Sequence, residues 1–321
     1  MILEREFCGF GASGHNAGHL TPTICKDMPT AIMLFGKERA GKLARFADHC
    51  VETAEQLMVE YGIDCDYHAN GNIMSVVHPA QEKRLRKATE AARAVGAKMR
   101  FVEPAEMRER QLPKAFLCGA LEEVGGTLHT GKLVLGLRKT ALAAGIRIHE
   151  QTKVEGVSGD AHPRVTTSKG TVTADRVVMA SNAWTPEIGP PGNRVYALLV
   201  TLFETDPLSD EQLAAIGGWP GREGIYTAHE SLLSFRLTAQ RTIIGGSKHV
   251  RYHYGGKPGS RGGQKDSSMM ANLMDFRARF PELAVLRFAH SWSCWIGMTM
   301  NFMPIVGQSP NQTGLYYGVG Y

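Results

Sequence analysis

Hydrophobic positions along this chain change period several times, and each change marks an element. From Lys37 to Tyr61 apolar residues recur at helical spacing, with Leu43, Phe46, Ala47, Cys50, Ala54, Leu57 and Met58 on one side and Gly62 as the stop. Strand-like segments are predicted over 65–78, at Phe101-Val102-Glu103-Pro104 and near 118–122, with a basic helix over 81–95. A further helix runs into Gly145 and gives way to a short strand and then to the strand 152–157. The block 174–184 reads as a buried apolar strand that ends in small residues and an aromatic. Beyond it, 195–204 and the pair 231–237 and 241–246 read as antiparallel strands, the pair joined by a tight turn at Ala239-Gln240. The Gly-, Ser- and charge-rich stretch 255–268 reads as the most mobile loop.

Parallel-type strands at the ends and centre, with antiparallel strands between them, predict an α/β chain of two discontinuous lobes. One lobe collects about 1–36, 128–190 and 291–321, and the other 37–127 and 191–290.

Gly9-Phe10-Gly11-Ala12-Ser13-Gly14 satisfies G-x-G-x-x-G, but its flanks do not suit a dinucleotide fingerprint. Such a fingerprint directly follows a buried strand and opens a helix that holds the pyrophosphate. Here Glu4-Arg5-Glu6-Phe7-Cys8 precedes it, and Leu20-Thr21-Pro22 follows Gly18. A different placement accounts for the same residues. Met1-Ile2-Leu3 is then the tail of a parallel strand, and Glu4 is the terminal carboxylate that accepts the ribose hydroxyls of an adenosine.

The stretch Leu3-Glu4-Arg5 through Gly11-Ala12-Ser13-Gly14-His15-Asn16-Ala17-Gly18 resembles the FAD-dependent amine and amino-acid oxidoreductases of the D-amino acid oxidase, glycine oxidase and sarcosine oxidase family, and in its wording the γ-glutamylputrescine oxidoreductase type. Further matching stretches lie at 126–133 leading into 137–152 and the strand 152–157, at 174–184 and at 292–307 with 314–321, so the resemblance spans nearly the whole chain. It implies a Rossmann-like FAD-binding lobe and an α+β substrate lobe built on an antiparallel sheet. It also implies that the family's first strand-helix unit lies upstream of Met1 and its last glycine turn beyond Tyr321.

By the same resemblance FAD is held by Glu4, Arg5, Gly11, Ala12, Ser13, Gly14, His15, Asn16, Ala17 and Gly18, the backbone of Val154, the wall residues Ala180 and Trp184, and Cys294, Gly297 and Gly318. His15 and Cys294 fall where branches of the family attach flavin covalently. The alternative readings are a non-covalent flavin contact for His15 and a buried free thiol between Trp292 and Trp295 for Cys294.

Composition narrows the picture. With 321 residues, 43% of them hydrophobic, the chain can bury a large core in more than one lobe. The net charge is +5, and the one dense basic run, Lys83-Arg84-Leu85-Arg86-Lys87, has no interleaved aromatics, so it reads as a solvated helix face and not as a nucleic-acid site. Cys8, Cys25, Cys50, Cys65, Cys118 and Cys294 contain no C-x-x-C, which points to reduced thiols, a cytoplasmic setting and no metal site. No apolar run reaches the roughly 20 residues of a membrane helix.

The chemistry expected is oxidation of the C–N bond of an amine or amino acid to an imine, by hydride transfer to flavin N5, with oxygen or a quinone as electron acceptor. It asks little acid-base machinery of the protein, and no catalytic residue is legible. Arg236, on a strand expected to line the cleft, is the candidate for pairing a substrate carboxylate. The rival expectation is a non-catalytic fragment or pseudoenzyme that does not retain FAD.

Overall fold

The computed structural model describes residues 1–23, 27–189, 191, 194–229, 232–253, 258 and 266–320. Most of the expected loop 255–268 and Cys25 lie outside the described residues. The main element is a nine-stranded sheet made of Asn72–Val76, Met99–Val102, Cys118–Glu122, Tyr196–Thr205, Gly224–Thr227, Ser234–Leu237, Ile243–Gly246, Arg251–His253 and Phe288–Met298. Its pairs are antiparallel apart from Asn72–Val76 beside Gly224–Thr227, which is parallel. Smaller sheets carry the parallel pairs Ile2–Leu3 with Ile148–His149 and Val177–Met179 with Leu315–Val319. Val154–Ser158, Arg164–Thr167 and Gly170–Thr173 form an antiparallel meander. This is the expected α/β mixture of parallel and antiparallel pairing.

Directly paired residues share a face of a sheet, and neighbours along a strand alternate. Leu121, Ile73, Ile225, Phe235, Gly245 and Phe203 therefore form one transverse row on one face. Of these, Ile73, Ile225, Phe235 and Phe203 are wholly buried, and they join Phe276 of the helix Asp266–Arg279 and Phe280 just past its end in the main core. The rings pack tightly: Phe203 stacks on Phe288 at 3.9 Å between centroids and meets Phe276 edge-on at 5.6 Å. Gly245 lacks a side chain because a Cβ there would lie 2.7 Å from Phe235 Cδ1 and 2.8 Å from Phe203 Cζ.

Three sequence expectations are corrected. The long helix, Lys37–Glu60, buries Ala40, Gly41, Ala44, Ala47, Asp48, Val51 and Met58, and its Phe46 is 55% exposed. The buried stripe is the one with small residues, because they let the helix approach the turn after the next helix. A Cβ on Gly41 would already be 3.0 Å from the Val95 carbonyl oxygen. The expected strand 65–78 shrinks to Asn72–Val76. The strand expected within 174–184 is only Val177–Met179, and it is not buried throughout: it edges its small sheet, leaving Val178 68% exposed. The basic run lies on the helix Glu82–Ala94, where Arg86 pairs with Glu82 and Glu103, and Arg84 with Asp27.

Phe203→Ala should lower unfolding stability by about 3–5 kcal/mol in urea titration, and Gly245→Ala by about 1–3 kcal/mol through overpacking. Val178→Ala should stay within about 0.5 kcal/mol of the parent.

Candidate functional site

The opposite face of the large sheet carries a row of very different character. The pairings Glu122 with Asn72, Asn72 with Gly224, Arg236 with Ile244 and Ile244 with Glu204 place these residues in line. Continuing the register of Ile225 with Phe235 sets Gly224 beside Arg236. Glu122, Asn72 and Arg236 are all buried.

The glycine-rich segment crosses this row. Ala12–His15 forms one helical turn, and the chain then turns through Gly18 into the short strand His19–Leu20, which pairs with Gly126–Thr127. The Ala17 carbonyl accepts Arg236 Nε at 2.5 Å. The His19 ring fills the space over Gly224, Leu20 accepts Asn72 Nδ2 at 2.7 Å, and Thr21 and Thr23 donate to Glu122 at 2.7 and 3.0 Å. Gly18 holds φ +81°, and a Cβ there would sit 2.3 Å from the Leu128 oxygen and 2.7 Å from Arg236 Nε. Glycine thus meets both a backbone and a steric requirement here.

The other side of the segment is held by the strand Phe288–Met298. Trp292 Nε1 donates to the His15 carbonyl at 2.8 Å, and Cys294 Sγ approaches the same oxygen at 3.8 Å. The His15 ring itself meets the Gly11 carbonyl at 3.2 Å. Asn16 Nδ2 donates to Ala12 and Ser13 carbonyls, its Oδ1 accepts Gly18 N–H, and the Gly14 carbonyl accepts Thr130 Oγ1. A Cβ on Gly14 would collide with the Gly9 carbonyl at 2.1 Å, whereas one on Gly11 would meet nothing within 4 Å.

A second group gathers around Trp184. Glu4 lies just past its strand, its backbone bonded to His149 and Thr152 and its carboxylate accepting Glu6 N–H at 3.0 Å. Arg5 places its guanidinium 5.4 Å from the Trp184 ring centroid. Trp184 Nε1 is buried with no partner among the described residues, Ala180 is exposed, and the Gly297 amide donates to Asn182 Oδ1 at 2.7 Å. Val154 lies two residues past Thr152 in the meander, and Gly318 lies in the strand Leu315–Val319. The fold therefore brings together residues 11–18, Cys294 and Arg236, and separately Arg5 with Trp184, while Val154 and Gly318 stand in other sheets.

A dinucleotide cofactor needs donors and a cation for its phosphates and bare backbone where it passes. Trp184 Nε1, sealed and unpartnered beside Arg5, and the open face at Gly11 meet those needs.

Burial governs the charges of the row. It lowers Arg236 to about 10, and no described carboxylate forms an ion pair with it. Burial raises the Glu122 carboxyl, against hydrogen bonds from Tyr226, Thr21 and Thr23. Burial lowers His19 to about 4, with its bond to Asn72 opposing and the Arg236 charge adding to the effect. Burial likewise pushes the Cys294 thiol up to about 11.

Sequence reading missed His19, Asn72, Glu122 and Tyr226. His19 is adjacent to Gly18 and was within reach, but its partners lie 53 or more residues away and only the sheet register joins them. Among the described residues no group of three or more His, Cys, Asp or Glu is placed to hold a metal ion, and no helix is long and apolar enough to cross a membrane.

Comparison with known proteins follows the same lines. The sequence model of the DAO family, FAD dependent oxidoreductase, matches residues 1–321. The γ-glutamylputrescine oxidoreductase of Escherichia coli K12 is 26% identical over the whole chain, which covers 73% of that protein. Glycine oxidase of Geobacillus kaustophilus is 25% identical, again over the whole chain and 80% of the relative. Its crystal structure superposes with a TM-score of 0.77 at 19% identity, covering 99% of this chain and 81% of that one. L-proline dehydrogenase from P. horikoshii gives the same TM-score at 17% identity, covering 99% and 80%.

Two outcomes test the row. Because His19 is held neutral, the unfolded chain binds its proton first, so the residue costs stability as pH falls from 6.5 towards about 4. Glu122, raised by burial, acts with the opposite sign. The stability gap between parent and His19→Phe isolates the first effect, and it should narrow by about 2 kcal/mol between pH 7 and pH 4.5 in urea titrations. Gly18→Ala should displace the segment from Arg236 and lower the melting temperature, whereas Gly11→Ala should leave it near the parent value.

Proposed function

This chain belongs to the FAD-dependent oxidoreductase family, and on that premise we propose that it oxidises the C–N bond of a small amine or amino acid. The crossing of the glycine-rich segment over Arg236 carries the reading. It supplies a bare, tightly held backbone beside a buried cation that has no described carboxylate of its own.

FAD supplies, when bound, the acceptor for a hydride from the carbon bearing the nitrogen, and the imine left behind hydrolyses. Glu4, Arg5, the backbone of Gly11 to Gly18, Val154, Ala180, Trp184, Cys294, Gly297 and Gly318 would hold it. Arg236 commits Nε to Ala17 and offers its remaining guanidinium nitrogens to a substrate carboxylate. The protein's part is to orient the substrate and exclude water.

The cofactor-binding lobe would collect 1–36, 128–190 and 291–321, and the substrate lobe 37–127 and 191–290, with Phe288–Met298 serving both. Oxygen or a quinone would take the electrons, in a cytoplasmic setting. The match of the whole length to FAD-dependent enzymes favours this reading over a non-catalytic fragment.

Protein incubated with FAD and then freed of unbound flavin by gel filtration should retain a flavin absorbance band at about 450 nm. Glu4→Ala should weaken flavin retention by about tenfold in equilibrium dialysis. Arg236→Met should raise KM for an amino-acid substrate by about 100-fold with kcat changed less, because truncating a charge partner in a buried site costs a few kcal/mol of binding. An unchanged KM removes Arg236 from the site.

A further inference from the structure

The His19 ring lies over Gly224, and its orientation can be read from its neighbours. Asn72 Nδ2 donates to the Leu20 carbonyl, which turns Asn72 Oδ1 towards His19 Nδ1 at 3.0 Å. An amide oxygen only accepts, so Nδ1 carries the proton and Nε2 presents a lone pair. That lone pair is sealed from solvent and has no partner among the described residues, although the residue as a whole keeps some accessible surface. Gly224 makes the arrangement possible: a Cβ there would lie 2.1 Å from Asn72 Oδ1 and 2.4 Å from His19 Nδ1.

Arg236 is the next residue along the same row. A buried cation and a buried, unpaired acceptor thus stand on either side of Gly18, one calling for an anion and the other for a hydrogen-bond donor. Leaving such groups unmet is costly in a buried site.

From this juxtaposition we infer that His19 Nε2 accepts an N–H of the small molecule whose carboxylate pairs with Arg236, and that it selects ligands carrying nitrogen and carboxylate close together. The inference rests on the reading of Arg236 as the carboxylate partner. His19 is a positioning and selecting group, not a base: kept neutral by burial and by Arg236, it does not compete for the proton of the ligand nitrogen.

The test compares α-aminoisobutyrate with pivalate, which has a methyl group where the former has nitrogen; neither has an α-hydrogen to be removed. Calorimetric titration of the purified protein should give about tenfold tighter binding of α-aminoisobutyrate. His19→Phe should bring the two affinities together while leaving pivalate unchanged, and His19→Gln, which retains an acceptor, should keep part of the preference. In the parent protein the ¹⁵N resonance of His19 Nε2 should move with α-aminoisobutyrate and not with pivalate, a readout that needs no variant to fold.

A preference that survives in His19→Phe overturns the inference. So does a parent without preference, or an Nε2 resonance that neither compound moves, since Nε2 then serves only a trapped water. Calorimetry reads the preference whether or not the protein carries FAD, so failure to take up flavin counts against the enzymatic reading and loss of discrimination counts against His19.

Discussion

The close passage of the Gly18 backbone over the Arg236 guanidinium is the constraint on which the site depends. Arg236 is buried, and burial of a cation is tolerable only with hydrogen-bond partners. The Ala17 carbonyl is one, and it reaches Arg236 Nε only because the following residue has no side chain. Once that contact is made, the rest of the segment has little freedom. His19 must enter the space above Gly224, Leu20 meets Asn72, and Thr21 and Thr23 meet Glu122.

The sheet supports this by dividing its tasks between faces. One transverse row, from Leu121 to Phe203, is apolar and closes against the rings of Phe276 and Phe280. The next row, one residue along each strand, carries Glu122, Asn72, Arg236 and Glu204 and receives the crossing segment. A slip of one residue in one of these strands would turn its own polar residue, Asn72, Glu122 or Arg236, towards the phenylalanines. Packing on the apolar side therefore holds the polar side in register, and Phe203 stabilises the site without touching it.

Much of this was legible in sequence, and the boundary of what was legible has a physical basis. Helix and strand periodicity is local, so the strand Cys118–Glu122 and the helix ended by Gly145 lie where the pattern put them. The glycine-rich segment was legible because its motif is contiguous, and Arg236 because its strand is strongly patterned. The buried face of the long helix was misread: the close approach at Gly41 rewards small residues, whereas counting apolar ones favoured Phe46 and Leu57. His19 was overlooked because its surroundings come from strands far away in the chain, and no local pattern encodes cross-strand register.

The polar row draws on residues 72, 122, 204, 224 and 236, each on a different strand. Every pairing between them closes a loop of the chain, and such non-local contacts form slowly and late. No partly folded intermediate with a few strands in place can present the row, so recognition begins only once the whole sheet is assembled. A small molecule bound there would hold together distant parts of the polypeptide, and its affinity would be added directly to the free energy that keeps the sheet closed.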